Sequence, residues 1–160
     1  MTAGAGAPVF AEYPKTVVLT DGTHVILRPW AAGDPAPPSV PPRPDTAGDR
    51  ITVLAIDGER IAAAATLDPP VSPGAAATLG VTIEPAYRNR RLGTWLLLDL
   101  VHLAAGLGVE RLLAVAPSAD AMYLAALRRL DFVPDGAPAI PIPPGTVVFA
   151  KVIHTAWTDF

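Results

Sequence analysis

The 160-residue chain contains no cysteine, which excludes disulfides, thiolate zinc sites and cysteine nucleophiles. Lysine is nearly missing too. Of the 12 basic residues only Lys15 and Lys151 are lysine. Charged residues make up 17% of the chain, below the ~25% of an average domain. The net charge is −3, so the basic excess of a general nucleic-acid binder is lacking, although a local basic patch is not excluded. No apolar run is long enough to span a bilayer. The longest, Leu92 to Leu107, contains Asp99 and His102 and falls short of the ~20 residues a spanning helix needs. Met1 to Thr16 has neither a basic nor an apolar leader segment, so no signal peptide is expected. These absences predict a soluble, cytoplasmic protein without a membrane or nucleic-acid partner.

What is present is a hydrophobic fraction of 51%, enough for one core and one domain at this length. Residues 1–15 show no periodicity and read as a flexible arm ahead of a domain spanning 16–155. Two β-rich runs, 17–20 and 24–27, flank Asp21-Gly22, and two more, 51–56 and 60–67, flank Asp57-Gly58. Asp-Gly between such runs is a strong hairpin signal. Between the hairpins, Pro35, Pro37, Pro38, Pro41, Pro42 and Pro44 preclude regular helix over 31–50 and predict an extended loop.

Residues 75–84 read as a strand stopped by Pro85. Leu92, Leu96, Leu100, Leu103 and Leu107 then recur at helical spacing, up to Gly106 and Gly108. A strand over 111–116, a helix over about 120–130 capped by Asp120 or Ser118, and a strand over 146–153 complete the chain. Helices alternate with strands only in the second half. The pattern predicts an α+β fold with at least one parallel strand pair spanning the first helix.

The chemistry concentrates in Val81-Thr82-Ile83-Glu84-Pro85-Ala86-Tyr87-Arg88-Asn89-Arg90-Arg91-Leu92-Gly93-Thr94. A strand, a proline break, a basic loop and a helix start leave backbone N–H groups at a positive helix end. That junction suits a phosphate or pyrophosphate; the alternative is three solvated arginines. Ser39, Ser72 and Ser118 lack a nucleophile-elbow context. Asp99 and His102 read as a solvated i, i+3 pair rather than metal ligands, and no metal is expected.

The segment Val81 to Gly93 resembles the acyl-CoA-binding motif of the GNAT acetyltransferases, Gln/Arg-x-x-Gly-x-Gly/Ala. Arg88 stands at its first position, Gly93 at its last and Arg91 at the first glycine. Asp120 to Phe132 is similar to the family's Asn-x-x-Ala-x-x-Leu-x-x-x-x-Gly-Phe segment. Val17 to Pro29 resembles the opening of the bacterial protein-lysine acetyltransferase branch. The resemblance implies a central mixed sheet of about six to seven strands flanked by two main helices, with the family's first-half helices replaced by the proline-rich loop. It also implies acetyl transfer from acetyl-CoA to a primary amine, either a protein lysine or N-terminus or a small amine, by direct attack. The pantetheine arm would pair with Val81, Thr82 and Ile83. The pyrophosphate would rest on Arg88, Asn89, Arg90, Arg91, Leu92, Gly93 and Thr94.

Several positions depart from the family pattern. Arg91 replaces a glycine that lets the backbone approach the pyrophosphate, and could clash with it or turn outward to pair with a phosphate. Leu127 stands where many members carry a tyrosine acid. Tyr123, one turn earlier, could replace it or could pack with its hydroxyl at the surface. Ala77 stands where some members carry a glutamate base, and Glu84 is the nearest carboxylate, as a base through water or as a solvated neighbour of the arginines. Asp131 replaces a glycine. These departures keep a second reading open, a degenerate GNAT-like domain that binds acyl-CoA or a protein partner without turnover. The expected state is monomer or homodimer.

Overall fold

The computed structural model describes residues 13–30, 34, 50–70, 75–88, 90–136, 142 and 144–153. The expected arm up to residue 12 and the proline-rich loop, except residues 34 and 50, lie outside the described residues.

Both Asp-Gly signals are turns. β1 (Lys15–Val18) and β2 (His24–Pro29) are joined through Gly22 at φ +88°, and β3 (Ile51–Asp57) and β4 (Arg60–Asp68) through Gly58 at φ +63°. This left-handed backbone is open to glycine at little cost. β5 (Ala77–Ile83) ends in a 3-10 turn (Pro85–Tyr87), followed by α1 (Leu92–Gly106), β6 (Arg111–Pro117), α2 (Ala121–Arg129), β7 (Val133–Pro134) and β8 (Thr146–Val152).

Among the described residues eight strands form one sheet, in the order β1-β2-β3-β4-β5-β6-β8-β7. Every pairing is antiparallel except β5 with β6, whose connection runs through α1. The fold is α+β, with one strand more than the six to seven expected. The extra strand, β7, is only Val133 and Pro134; two residues, one without a donor, carry no strand signal.

One main core lies between the helices and one sheet face. Alternate strand residues such as Leu27, Val53, Leu79, Leu112 and Phe149 meet Leu96 and Leu100 of α1 and Leu127 of α2. The alanines Ala62 to Ala65 of β4 are all at most 2% exposed. Alanine is a weak strand former, but it suits a central strand buried on both faces, where a longer side chain has no room.

Both helices end in the same motif. The Val109 N–H donates to the Ala104 carbonyl at 3.0 Å and that of Gly108 to Ala105 at 3.1 Å. In α2, Phe132 donates to Leu127 at 3.0 Å and Asp131 to Arg128 at 3.0 Å. The motif needs a left-handed residue, usually glycine. Gly108 supplies it at φ +77° and Asp131 at φ +66°, a conformation Asp tolerates better than most residues.

Two expectations are corrected. Lys15 belongs to β1, and Tyr13 is already fixed to the body of the molecule. Asp99 is not solvated; it is 4% exposed. The Tyr13 hydroxyl donates to one of its oxygens and the Lys15 ammonium pairs with the other. A buried carboxylate needs such partners, which Tyr13 and Lys15 bring from a distant stretch of chain, whereas the adjacent His102 stays exposed. Arg50 and Asp68 form a second shielded pair, with two hydrogen bonds of 2.7 and 2.9 Å.

Candidate functional site

β5 and β6 run together only through Ala77↔Leu112, Thr78↔Leu113 and Leu79↔Ala114. Beyond Leu79 they part, because β5 follows β4 as far as Ile83 while β6 follows β8 as far as Pro117. The Glu84 N–H donates to the Ala62 carbonyl of β4 at 2.9 Å. Backbone groups of successive strand residues face opposite edges, so those of Val81 and Ile83 face the opening between the strands. Neither has a strand partner there among the described pairings.

A cleft of about 760 Å³ occupies this wedge, a size suited to a small ligand or cofactor arm. One wall is Gly80 to Ile83 of β5. A second is the start of α1, Leu92 to Thr94, with Arg88 and Arg91 before it. A third is α2, with Asp120, Tyr123 and Ala126. At Gly93 a Cβ would lie 3.1 Å from the Ile83 Cδ1, so glycine lets the helix start lie close against β5.

The basic loop is held by the tips of both hairpins. Arg90 Nη1 lies 2.9 Å from Asp21 Oδ2, and the Thr20 N–H donates to the Arg90 carbonyl at 3.3 Å. The Tyr87 hydroxyl donates to Asp57 Oδ2 at 2.6 Å. That hydrogen bond, more than burial, raises the Tyr87 hydroxyl's pKa above its ordinary value. Arg60 and Arg90 both stand over the Tyr87 ring, at 5.2 and 5.6 Å, within cation–π range. Arg90 is thus a structural cation, and it does not line the cleft. Asn89 lies outside the described residues.

Arg88 and Arg91 behave differently. Arg88 Nε donates to the Ile83 carbonyl at 3.3 Å on the open edge of β5. Arg91 is the N-cap of α1 at φ +67°, ψ +11°, with no side-chain cap on the helix. The residue in the glycine position therefore adopts a glycine-like conformation, at a cost of roughly 1–2 kcal/mol for an L-residue. Its side chain is exposed and lines the cleft. Neither arginine has an ion pair recorded among the described residues. The first turn of α1 also carries no acidic residue, which leaves its N–H groups and positive dipole end for an anion.

The expected proton-transfer groups separate. Tyr123 lines the cleft. Its hydroxyl is buried, not at the surface, against the Val81 backbone. Burial pushes its pKa well above the ordinary value, Asp120 adds to this, and the Val81 backbone beside the hydroxyl opposes it. Leu127 is fully buried in the core. Glu84 is half-buried at the end of β5 and is not among the cleft-lining residues.

Sequence reasoning missed Gly80, Thr20, Tyr87 and Arg129 as cleft residues. For Arg129 the helical spacing was an available signal: it lies seven residues beyond Met122 and three beyond Ala126, both cleft residues, on the same side of α2. Thr20 gave none, since only the tertiary contact with Arg90 brings it there.

The profile of the acetyltransferase (GNAT) family matches residues 23–132. The chain belongs to that family. No curated protein sequence matches it. Among solved structures, this GNAT chain is similar to the GNAT domain of S. lividans PAT, with 18% identity and a TM-score of 0.69 over 89% of this chain and 98% of that one. It is also similar to YncA of Salmonella typhimurium, solved with its cofactor acetyl-CoA, at 18% identity and TM-score 0.56, covering 66% and 65% of the two chains. A third is RimL, a ribosomal L7/L12 α-N-protein acetyltransferase in complex with coenzyme A, at 16% identity and TM-score 0.55, covering 66% and 63%. At these identities the likenesses establish the GNAT fold. Among the described residues no helix is long and apolar enough to cross a membrane.

Proposed function

We propose that this GNAT protein transfers an acetyl group from acetyl-CoA to a primary amine, either a protein lysine or N-terminus or a small amine. One observation carries the reading. The parting of β5 and β6 leaves the backbone of Val81 and Ile83 without strand partners on that edge, beside an uncapped, arginine-flanked helix start. A narrow cleft with strand-like hydrogen-bonding groups along it and an anion site at its mouth fits a pantetheine arm ending in a pyrophosphate. The structures of YncA with acetyl-CoA and RimL with coenzyme A support the same ligand class.

Acetyl-CoA supplies an activated acyl carbon. The amine nitrogen bonds to it, the carbon–sulfur bond breaks, and the amine's proton must leave while the thiolate gains one. The chain's residues would serve that exchange by holding and orienting. The start of α1 with Arg88 and Arg91 takes the pyrophosphate charge, Gly93 permits the close approach, and Val81 to Ile83 fix the arm. The Val81 N–H, beside which the Tyr123 hydroxyl lies, would donate to the thioester oxygen, where negative charge develops. Tyr123, kept protonated by its burial, is the candidate acid for the thiolate, whose ordinary pKa of about 8.5 calls for modest help. Glu84, at the strand end, would receive the amine's proton through water. Orientation of a neutral amine, already a good nucleophile, supplies much of the remaining effect.

A second reading is favoured by the fully buried Leu127, by Glu84 standing outside the cleft lining and by the Tyr123 hydroxyl against Val81. In it the domain binds acyl-CoA or a protein partner without turnover. Thermal unfolding with acetyl-CoA at about 100 times its Kd is expected to show a stabilisation of ~2.7 kcal/mol. For this chain length that is a rise of roughly 5–11 °C. Release of free thiol with a panel of amines then supports transfer, whereas a thermal shift without any thiol release supports the second reading. No thermal shift at millimolar acetyl-CoA contradicts acetyl transfer and acyl-CoA binding alike, and favours a domain that binds a protein partner.

A further inference from the structure

The arginines of the loop before α1 divide by what they face. Arg88 and Arg91 line the cleft. The residue before each of them, Tyr87 and Arg90, is tied to a first-half hairpin. Tyr87 is 5% exposed, and its hydroxyl donates to Asp57 Oδ2 at 2.6 Å. Asp57 ends β3 and stands opposite Arg60 across the Gly58 turn. The Arg60 guanidinium lies 5.2 Å from the centre of the Tyr87 ring. The Arg90 guanidinium lies 5.6 Å from the same ring and 2.9 Å from Asp21. Asp21 is itself fixed in its turn, where Oδ1 accepts the Thr23 N–H at 3.1 Å. Two guanidinium groups and a carboxylate thus converge on one buried tyrosine, and Arg60, Arg90 and Asp57 do not line the cleft.

The anion site depends on this arrangement. Arg91 holds a left-handed backbone at φ +67°, which an L-residue disfavours. Such a conformation persists where the surroundings over-determine it. Arg90, just before it, is held at its guanidinium by Asp21 and at its carbonyl by the Thr20 N–H. We infer that Tyr87 is a positioning residue for the anion site: bound to Asp57 and set beneath Arg60 and Arg90, it holds the loop in the geometry that presents Arg88, Arg91 and the start of α1 to a pyrophosphate. The inference rests on the acetyl-CoA reading and deepens it, since it gives the β3–β4 hairpin a part in CoA recognition. A loop ordered beforehand loses no freedom when the ligand arrives. For the two cleft-facing arginines together, that amounts to about 10-fold in affinity.

Calorimetry with coenzyme A and with pantetheine, which lacks the pyrophosphate, separates positioning from a general loosening of the fold. The wild type is compared with Tyr87→Phe, Asp57→Ala and Asp57→Asn, each first checked by circular dichroism. Tyr87→Phe keeps the buried ring and loses only the hydroxyl. Asp57→Ala breaks the same bond from the other side, so either serves if the other does not fold. Because Asp57 does not line the cleft, its variants report on the loop and not on a lost ligand contact. Each of the two should weaken coenzyme A about 10-fold and leave pantetheine unchanged. Asp57→Asn retains an acceptor for the hydroxyl and should restore most of the lost affinity. The double variant Tyr87→Phe/Asp57→Ala should be no weaker than either single one, because both remove one shared bond. Folded variants that keep the wild-type affinity for coenzyme A, or that lose coenzyme A and pantetheine alike, overturn the positioning role alone. A wild type that binds neither coenzyme A nor acetyl-CoA overturns the acetyl-CoA reading and the positioning role with it.

Discussion

The two strand–helix junctions of the second half share one design and differ in how the helix begins. β5 reaches α1 past Pro85, and β6 reaches α2 directly from Pro117. At α2, Asp120 accepts the Tyr123 N–H at 3.1 Å, and Arg128 and Arg129 lie in the last turn against the negative end of the dipole. That helix is satisfied by its own side chains. At α1 the N-cap is a left-handed arginine, no side chain caps the turn and no acid lies in it. Its unpaired donors are left for something outside the chain. A fold places many helix starts at its surface; the uncapped one, next to the parted edges of β5 and β6, is the one proposed to take a ligand.

Adding a cap to α1 should cost the most. Gly93→Asp places a carboxylate in the first turn of α1 and a Cβ 3.1 Å from the Ile83 Cδ1. Loss of two charge-assisted hydrogen bonds at ~1.5–3 kcal/mol each predicts a fall in CoA affinity of about 100-fold or more, measured by calorimetry on a variant with an unchanged circular dichroism spectrum. Removing one charge should cost less. Arg88→Ala removes a single such contact and is expected to weaken CoA about 10-fold and to flatten the dependence of affinity on salt.

Removing the cap of α2 should act on stability instead. Asp120→Ala is expected to cost about 1 kcal/mol, seen as a fall in Tm of ~2–4 °C, with a far smaller loss of CoA affinity than Gly93→Asp. The smallest effect is that of acid on the loop anchor. The Thr23 backbone hydrogen bond, aided by the Arg90 charge, holds the Asp21 carboxyl below its ordinary value. A lowered folded-state pKa gives stability that is present above the unfolded value of about 3.9 and is lost as pH falls through the folded value. CoA affinity should therefore show no step assignable to Asp21 between pH 5 and 8, checked by titrating affinity against pH in the wild type and in Asp21→Asn.

Much of the fold was legible because its signals are local. The two Asp-Gly turns, the leucine spacing of α1 and the Asp120 cap each declare themselves within a few residues. The alanine run of β4 was legible through its turn and length, although its propensity pointed elsewhere. β7 was not, since two residues carry no period. Asp99 was misread because its partners, Tyr13 and Lys15, lie more than eighty residues away in the chain. The site divides in the same way. The strand, the arginines and Gly93 were readable from one contiguous motif. The fixing of Arg90 by Asp21 and of Tyr87 by Asp57, and the buried Tyr123 hydroxyl, arise only from tertiary contact. Arg91 lies between these cases. The sequence shows the substitution, and only the backbone, left-handed at φ +67°, shows that the glycine conformation is kept.

The most direct test is a calorimetric comparison of coenzyme A with pantetheine, which has the same arm but no pyrophosphate. If the uncapped start of α1 holds the pyrophosphate, coenzyme A should bind about 100-fold or more tightly than pantetheine, and Gly93→Asp should abolish most of that difference. Equal affinities for the two ligands in the wild type would contradict the placement of the anion site at α1.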